Sequence, residues 1–241
     1  MDLADFIQGE KFMKLADRKR IFYQHSHNLC FEDLPDREII LITHNSCHRI
    51  NVTPPKNIIK WFVQNVNVEH DRMESIPIGL ENNQWFYRLH KREKMVAKLR
   101  HPKRIKNLVY VNFNIQTNVH ERTEVYNAFN DKTWVTVVNG RNGEGFDDYL
   151  DGIYNHKFVI SPEGAGTDTV RTWECLYMNT IPIEKRNINN QFYTDLPICF
   201  VDDWEEVTES FLAKEYIRIK QTEWNMDKLK FSYWKDKILA S

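Results

Sequence analysis

A strand-like run at residues 158–160 leads into a small, glycine-rich turn whose composition suits phosphate binding. The turn comprises Glu163, Gly164, Ala165, Gly166 and Thr167. Alternating glycines let the backbone approach a ligand closely, and the helix predicted next presents free N–H groups with a partial positive charge. Thr167 or Asp168 is expected to cap that helix. By itself the turn is a weak signal, because it is neither the dinucleotide-binding Gly-x-Gly-x-x-Gly nor a Walker loop.

Arg171 and Glu174 strengthen the phosphate interpretation. They stand three residues apart in the predicted helix, so their side chains project from nearly the same side. A guanidinium binds a diphosphate bidentately, and a carboxylate one turn further along suits the two hydroxyls of a ribose. The alternative is a surface ion pair, which would contribute little. The spacing therefore predicts a nucleotide site with Arg171 as its main phosphate ligand.

Another strand end supplies further candidates for the same site. Asn112 and Asn114 end a predicted strand, and Arg122 follows in the next helix. Arg122 is expected to be the second diphosphate ligand, with a solvated helix charge as the alternative. The two asparagines either bond the diphosphate or the sugar, or cap the turn.

The elements that position these residues alternate in type. From about residue 105, strands are predicted at 108–111, 134–138, 157–160, 180–183 and 198–201, with helices at 121–129, 146–154 and 169–178. Such alternation indicates a parallel sheet that binds ligands at the carboxyl ends of its strands. The first hundred residues predict a helix at 5–16 and strands at 20–24, 38–43, 60–64 and 75–78.

Two units follow from this pattern, a small α/β unit at residues 1–100 and a larger one at 101–241. Between them a helix is predicted over 85–100. The basic run 91–106 is interpreted as a solvated linker helix, with an anion-binding patch as the alternative. Two aromatic-rich helices at 205–220 and 224–239 are expected to pack back across the first unit.

Composition excludes several classes of function. The chain has 241 residues and a net charge of -1, so no global field recruits nucleic acid or an anionic membrane. No apolar run approaches the roughly 20 residues that span a bilayer, and the start lacks a basic-then-apolar signal, which predicts a cytoplasmic protein.

The four cysteines lie far apart and are expected to be buried free thiols. The His25/His27 and His44/His48 pairs lack a zinc-motif carboxylate, so no metal is expected.

The pattern as a whole resembles the donor-binding half of exostosin-like glycosyltransferases. The similar elements are a strand followed by Pro-x-Gly, then Arg171-x-x-Glu174-x-Leu176, an Ile-Pro-Ile strand at 181–183, and Asp203-Trp204. Cys175 replaces the usual alanine, and Asn179 replaces the glycine that ends the helix, a position where asparagine is the next-best residue. A looser similarity covers residues 41–46, 61–65 and 76–80, and the element at 61–65 is closest to xylosyltransferase-like members.

This resemblance implies a compact GT-B fold, in which two Rossmann-like units face a cleft. It also implies a UDP-sugar donor, a glycan acceptor and inversion at the anomeric carbon. UDP-xylose is the first donor that it suggests. No Asp-x-Asp occurs in the sequence, so the diphosphate is expected to be stabilised without a metal or other cofactor, by the helix N-terminus and basic residues.

Inverting transfer needs a base for the acceptor hydroxyl, and three candidates remain open. His44 directly follows a strand of the first unit, although a structural histidine bonded to the backbone is the competing interpretation. Glu81 follows the 76–80 element, and Asp168 lies in the donor turn, where Glu163 is a further rival. A catalytically degenerate module that binds a glycan or nucleotide is the alternative function.

Overall fold

The computed structural model of the chain describes residues 5–82, 90–105, 107–139 and 145–241. Within these ranges it contains two parallel β-sheets and seven α-helices. The strands are β1 (Ile21–His25), β2 (Ile39–His44), β3 (Ile58–Val63), β4 (Met73–Ser75), β5 (Asn107–Phe113), β6 (Val135–Asn139), β7 (His156–Ile160), β8 (Ile181–Lys185) and β9 (Cys199–Val201). The α-helices are α1 (Gly9–Met13), α2 (Lys91–Leu99), α3 (Val119–Phe129), α4 (Phe146–Tyr154), α5 (Val170–Tyr177), α6 (Glu209–Gln221) and α7 (Phe231–Ala240).

The first sheet has the strand order β1-β2-β3-β4, with every pair parallel. Its connections at 26–38, 45–57 and 64–72 are all described and contain no α-helix, which departs from the Rossmann-like unit expected here. Prolines at 35, 54 and 55 disfavour helices in two of these connections. Loop side chains including Leu29, Phe31 and Leu34 cover one face of the sheet instead.

The second sheet has the order β6-β5-β7-β8-β9, again all parallel. Helices α3 and α6 pack on one face through Val125, Phe129, Leu212 and Ile219. Helices α4 and α5 cover the other face. This is a doubly wound sheet whose strand order reverses between β5 and β7, the point at which such sheets bind ligands. The predicted alternation of strands and helices is therefore confirmed.

One hydrophobic cluster joins the two units. It contains Phe12 and Phe62 from the first unit, Trp173 from the second, and Trp234 and Ile238 from α7. The Ile7 N–H also donates to the Tyr177 hydroxyl at 2.9 Å. Of the two helices expected to pack across the first unit, α7 does so and shares its core, whereas α6 packs on the second sheet.

In the segment of the predicted linker helix, the described helix α2 begins after His90, whose φ of 49° is left-handed. Trp85, Phe86 and Leu89 lie outside the described residues, and α2 begins at Lys91. Lys91 is buried at 7% exposure, so the interpretation of this run as a fully solvated face is wrong at its first residue. Within the described ranges, no helix has both the length and the apolar character needed to cross a membrane.

Candidate functional site

A cavity of about 460 Å³ lies between the carboxyl ends of the two sheets. Residues that follow β2 and β4 form one wall, and the turn at 164–166 with the start of α5 forms the other. A second cavity of about 300 Å³ adjoins it between α2, α4 and α5. Both cavities are lined by Glu81, Arg122, Thr169 and Val170, so they form two compartments of one site.

The residues predicted to bind the nucleotide-sugar donor lie close together at the point where the strand order of the second sheet reverses. The turn at 163–168 follows β7, and the segment 114–118 follows β5, the neighbouring strand. The Asn118 amide donates to the Gly164 carbonyl at 3.2 Å, which ties the two segments together. Residues that are separated in the chain therefore meet because the carboxyl ends of β5 and β7 are adjacent.

Arg122 and Arg171 lie over the ring of Phe113, the last residue of β5. Their Cζ atoms are 5.4 Å and 5.8 Å from the ring centroid. The Nε of Arg171 is buried and has no hydrogen-bond partner within the described residues. Two guanidinium groups that share one aromatic ring, with no acidic side chain paired to either in the described chain, form a site that favours an anion.

Arg122 is held in place by backbone carbonyls. Its Nε donates to the Glu163 carbonyl and its Nη1 to the Asn114 carbonyl, both at 2.9 Å. Burial, reinforced by the charge of Arg171, lowers the pKa of Arg122 to about 10. Arg122 is only 6% exposed, so the solvated-charge interpretation is wrong.

The N-terminus of α5 carries no side-chain cap, contrary to the prediction for Thr167 or Asp168. The N-cap residue is Thr169, whose hydroxyl instead lies 3.0 Å from the Ser161 hydroxyl. The Asp168 carboxylate bonds to Ile78 and Trp173 instead, and the helix begins at Val170, one residue later than a cap at Asp168 would place it. Thr169 and Val170 line both cavities, so the uncapped end of the helix borders the site.

Glu174 lines the smaller cavity together with Arg171, as their spacing predicted. Glu174 is buried, and its Oε2 accepts a hydrogen bond from the Tyr149 hydroxyl at 2.7 Å. Burial raises the pKa of Glu174, while the nearby Lys91 ammonium acts in the opposite direction. Lys91 also forms an ion pair with Glu81. The compartment thus combines cations with acceptor oxygens, a mixture that suits a nucleotide's phosphate and hydroxyl groups.

His44 lines the larger cavity, but both of its ring nitrogens are engaged. Nε2 lies 3.0 Å from the Pro77 carbonyl, and Nδ1 accepts the Asn45 N–H at 2.7 Å. Burial lowers the pKa of His44 to about 4. These contacts match the structural interpretation of this histidine better than the role of a base.

The three candidate carboxylates differ in how strongly they are bound. Asp168 accepts hydrogen bonds from the Ile78 N–H at 2.6 Å and from Trp173 Nε1 at 2.8 Å, and burial raises its pKa to about 7. Glu163 is paired with Arg49 at 2.5 Å. Glu81 borders both cavities and has the Lys91 ammonium as its partner. Among the described residues, Glu81 is therefore the candidate carboxylate that faces the site with the fewest bonds to the protein.

Some residues that were predicted to bind the sugar donor form hydrogen bonds within the protein instead. Asn112 donates to the Tyr110 hydroxyl inside the sheet, and the Asn114 side chain accepts the Gln116 N–H and so caps a turn. The glycines leave room for protein side chains. A Cβ on Gly164 would lie 2.9 Å from Arg122 Nη2, and one on Gly166 would lie 2.8 Å from Asn65 Nδ2. Ala165 is exposed in the cavity wall.

Sequence reasoning missed several site residues, namely Asn65, Lys91, Phe113, Phe146 and Tyr149. Asn65 belongs to the 61–65 element and Lys91 to the basic run 91–106, but neither pattern indicated a place in this site. All five residues reach the site through tertiary packing. The cysteine prediction holds for Cys175 and Cys199, which are buried, but Cys47 is exposed and lines the larger cavity. Within the described residues, no group of three or more His, Cys, Asp or Glu side chains is arranged to hold a metal ion.

No protein-family model matches the chain, and no curated protein is significantly similar to it.

Proposed function

We propose that the chain is an inverting glycosyltransferase of GT-B type that transfers a sugar from a nucleoside diphosphate, with UDP as the first nucleotide to test, to a hydroxyl of a glycan. The observation that carries the proposal is the pair Arg122 and Arg171 on the ring of Phe113, beside the uncapped N-terminus of α5. A diphosphate supplies the negative charge that these groups lack in the described chain.

The two compartments support a ligand with a diphosphate at its centre. The smaller one holds Glu174 and the aromatic residues Phe146 and Tyr149, which suits a nucleoside. The larger one is built from both units, which suits the sugar and the incoming acceptor. Arg122 borders both compartments, where the diphosphate would join the two halves of the donor. The resemblance of the Arg171-x-x-Glu174 element to exostosin-like transferases points the same way.

In the proposed reaction, the acceptor oxygen attacks the anomeric carbon from the face opposite the diphosphate. The bond between that carbon and the diphosphate oxygen breaks, and its electron pair leaves with the diphosphate. Arg122, Arg171 and the N–H groups of α5 stabilise the developing charge. The acceptor proton passes to a carboxylate, for which Glu81 is the first candidate and Asp168 the second. Glu81 is preferred because Asp168 already accepts two hydrogen bonds.

Nucleotide binding is the first test. Thermal unfolding is measured with UDP, GDP, ADP and CMP, each in EDTA and in Mn²⁺. A ligand at about 100 times its dissociation constant adds about 2.7 kcal/mol, which raises the midpoint of a chain this size by roughly 5 to 10 °C. We expect a UDP-selective shift that does not require the metal and that falls to about half or less in Arg171→Ala. If none of the four nucleotides raises the unfolding midpoint, the proposal is overturned.

A catalytically degenerate binding module of the same fold is the second candidate. The observation in its favour is the reduced first unit, whose four strands are connected without α-helices. Slow hydrolysis of the donor discriminates between the two, because a transferase transfers the sugar to water at a low rate whereas a binding module does not. UDP-xylose is the first donor to assay, followed by other UDP-sugars.

A further inference from the structure

The turn at 163–168 of the second unit, which the proposed function assigns to the diphosphate, is bonded to the first unit at both ends. At its start, Arg49 Nη2 pairs with Glu163 Oε2 at 2.5 Å. At its end, the Asp168 N–H donates to Asn65 Oδ1 at 2.8 Å. Arg49 follows β2 and Asn65 follows β3, so both anchors come from the sheet that faces the turn across the cavity.

Asn65 is adapted to this contact in its backbone as well as its side chain. It is fully buried and has a φ of 61°, a left-handed conformation that asparagine tolerates better than most residues. Its Nδ2 donates to the Ser46 carbonyl at 3.0 Å, which links the turn to the wall of the larger cavity. The amide packs so closely on Gly166 that a Cβ there would lie 2.8 Å from Nδ2. The Asn65 side chain therefore fits against the turn only where residue 166 has no Cβ.

Both anchors act on residues next to the arginines. The carbonyl of Glu163, whose side chain Arg49 holds, accepts the hydrogen bond from Arg122 Nε. Asp168, whose N–H Asn65 holds, lies two residues before the start of α5 and three before Arg171. A displacement of either end of the turn would therefore move a guanidinium group relative to the diphosphate.

We propose that Asn65 and Arg49 are positioning residues, which hold the turn at 163–168 in the geometry that binds the diphosphate. The inference rests on the proposed nucleotide site and adds that Asn65 and Arg49 of the first unit complete it without touching the nucleotide's phosphates. A preformed turn avoids the free-energy cost of ordering a loop when the ligand binds. Loss of an anchor should weaken nucleotide binding even where the chain stays folded.

The test compares UDP affinity, by isothermal titration calorimetry, in variants that remain folded by circular dichroism. Asn65→Gly keeps the left-handed backbone accessible but removes both side-chain bonds. We expect about a tenfold rise in Kd, which corresponds to about 1.4 kcal/mol. Asn65→Asp keeps the accepting oxygen but loses the Nδ2 donor to the Ser46 carbonyl, so it should recover at most part of the affinity. Arg49→Gln should raise Kd roughly two- to fivefold, as for a partly exposed ion pair, and Arg49→Lys less.

Asn189→Ala is the matched control. Asn189 is buried and also joins the units, because its Oδ1 accepts hydrogen bonds from the Val66 N–H and the Ser75 hydroxyl. Among the described residues, its side chain has no hydrogen bond to the turn at 163–168. Asn189→Ala should lower the unfolding midpoint and leave the UDP Kd within about twofold of wild type.

Three results would overturn the inference. The first is an unchanged Kd in folded Asn65→Gly, and the second is an equal loss of affinity in Asn189→Ala, which would indicate general loosening. If Asn65→Gly does not fold, Arg49→Gln decides, and an unchanged Kd there is the third. A wild-type chain that binds no nucleotide would overturn the proposed function and this inference together, whereas the first three results leave the proposed function intact.

Discussion

The Asp168 carboxylate accepts the backbone N–H of Ile78 at 2.6 Å, although ninety residues separate the two in the chain. Both residues line the larger cavity, so the bond joins its two walls. Because the same carboxylate also binds Trp173 Nε1, it connects the first unit to the inside of α5. Removal of Asp168 would therefore disturb both the fold and any chemistry in the cavity.

The arginine pair predicts a selective loss of nucleotide affinity. We expect Arg171→Ala to raise the UDP Kd roughly 10- to 100-fold, the range for a charge-assisted hydrogen-bonded contact, with little change in the unfolding midpoint. Arg122→Ala should also lower the midpoint, because Arg122 bonds the carbonyls of Glu163 and Asn114. Calorimetry and thermal unfolding test both. Arg218→Ala, at an exposed arginine paired with Glu215, is the control. Equal UDP affinities in Arg171→Ala and wild type would show that Arg171 does not bind the nucleotide.

Glu81 and His44 should differ in their effect on turnover. If Glu81 is the base, Glu81→Gln lowers kcat by about 10² to 10⁴ while the UDP Kd changes little. His44→Gln should retain most of kcat once folded, because both ring nitrogens of His44 already bond to the backbone. Steady-state transfer assays measure the difference. A larger loss of kcat in His44→Gln than in Glu81→Gln would reverse the assignment.

Glu174 predicts discrimination between ribose and deoxyribose. A buried carboxylate that accepts the 2′-hydroxyl should make UDP bind about tenfold more tightly than 2′-deoxy-UDP, since one charge-assisted hydrogen bond is lost in the deoxy ligand. Glu174→Gln should reduce that preference to about twofold. The ratio of the two Kd values is the measurement. A preference that survives unchanged in the variant would show that Glu174 does not bind the ribose.

The contribution of Glu184 to the free energy of unfolding should fall as the pH rises. Burial raises the pKa of Glu184 to about 7, whereas an unfolded glutamate titrates at about 4.3. Between these values the folded chain holds a proton that the unfolded chain has released, so this stabilisation is complete below about pH 4.3 and disappears as pH rises through about 7. Glu184→Gln should therefore gain at least about 1 kcal/mol relative to wild type between pH 5 and pH 8.

Chemical denaturation at the two pH values measures this gain. Glu205→Gln, at an exposed glutamate, is the control. His44 acts in the opposite direction, because its pKa is lowered to about 4 and its contribution is lost as pH falls from about 6.5 toward that value. Only the difference between Glu184→Gln and wild type isolates Glu184. An equal difference at pH 5 and pH 8 would contradict the prediction.

The C-terminal helix should be part of the cooperative core. Trp234 is 1% exposed and lies in the cluster that joins the two units. Trp234→Ala is expected to cost about 3 to 5 kcal/mol and to lower the unfolding midpoint by roughly 10 °C. Leu239→Ala on the same helix is the control, because Leu239 is 48% exposed. Similar midpoints for the two variants would mean that α7 is not coupled to the core.

The sequence by itself determined the order and type of most elements. Periodicity predicted α4 at 146–154 with its observed bounds, and the strands of both units within a few residues. It also placed Arg171 and Glu174 on one side of a helix, because a spacing of three residues fixes their relative direction. These are local properties, set by the backbone geometry of a helix or strand and by the alternation of apolar residues.

The tertiary structure decided how the site is closed and which side chains remain available. Asn65, Lys91 and Phe113 reach the site from separate elements, and the local patterns around them do not indicate that they meet there. His44, Asp168 and Asn114 have the right chemistry in the sequence, but contacts with the backbone or with distant side chains occupy them. Burial and hydrogen-bond partners depend on which elements meet in space, so the availability of a polar group to a ligand is a property of the packed fold.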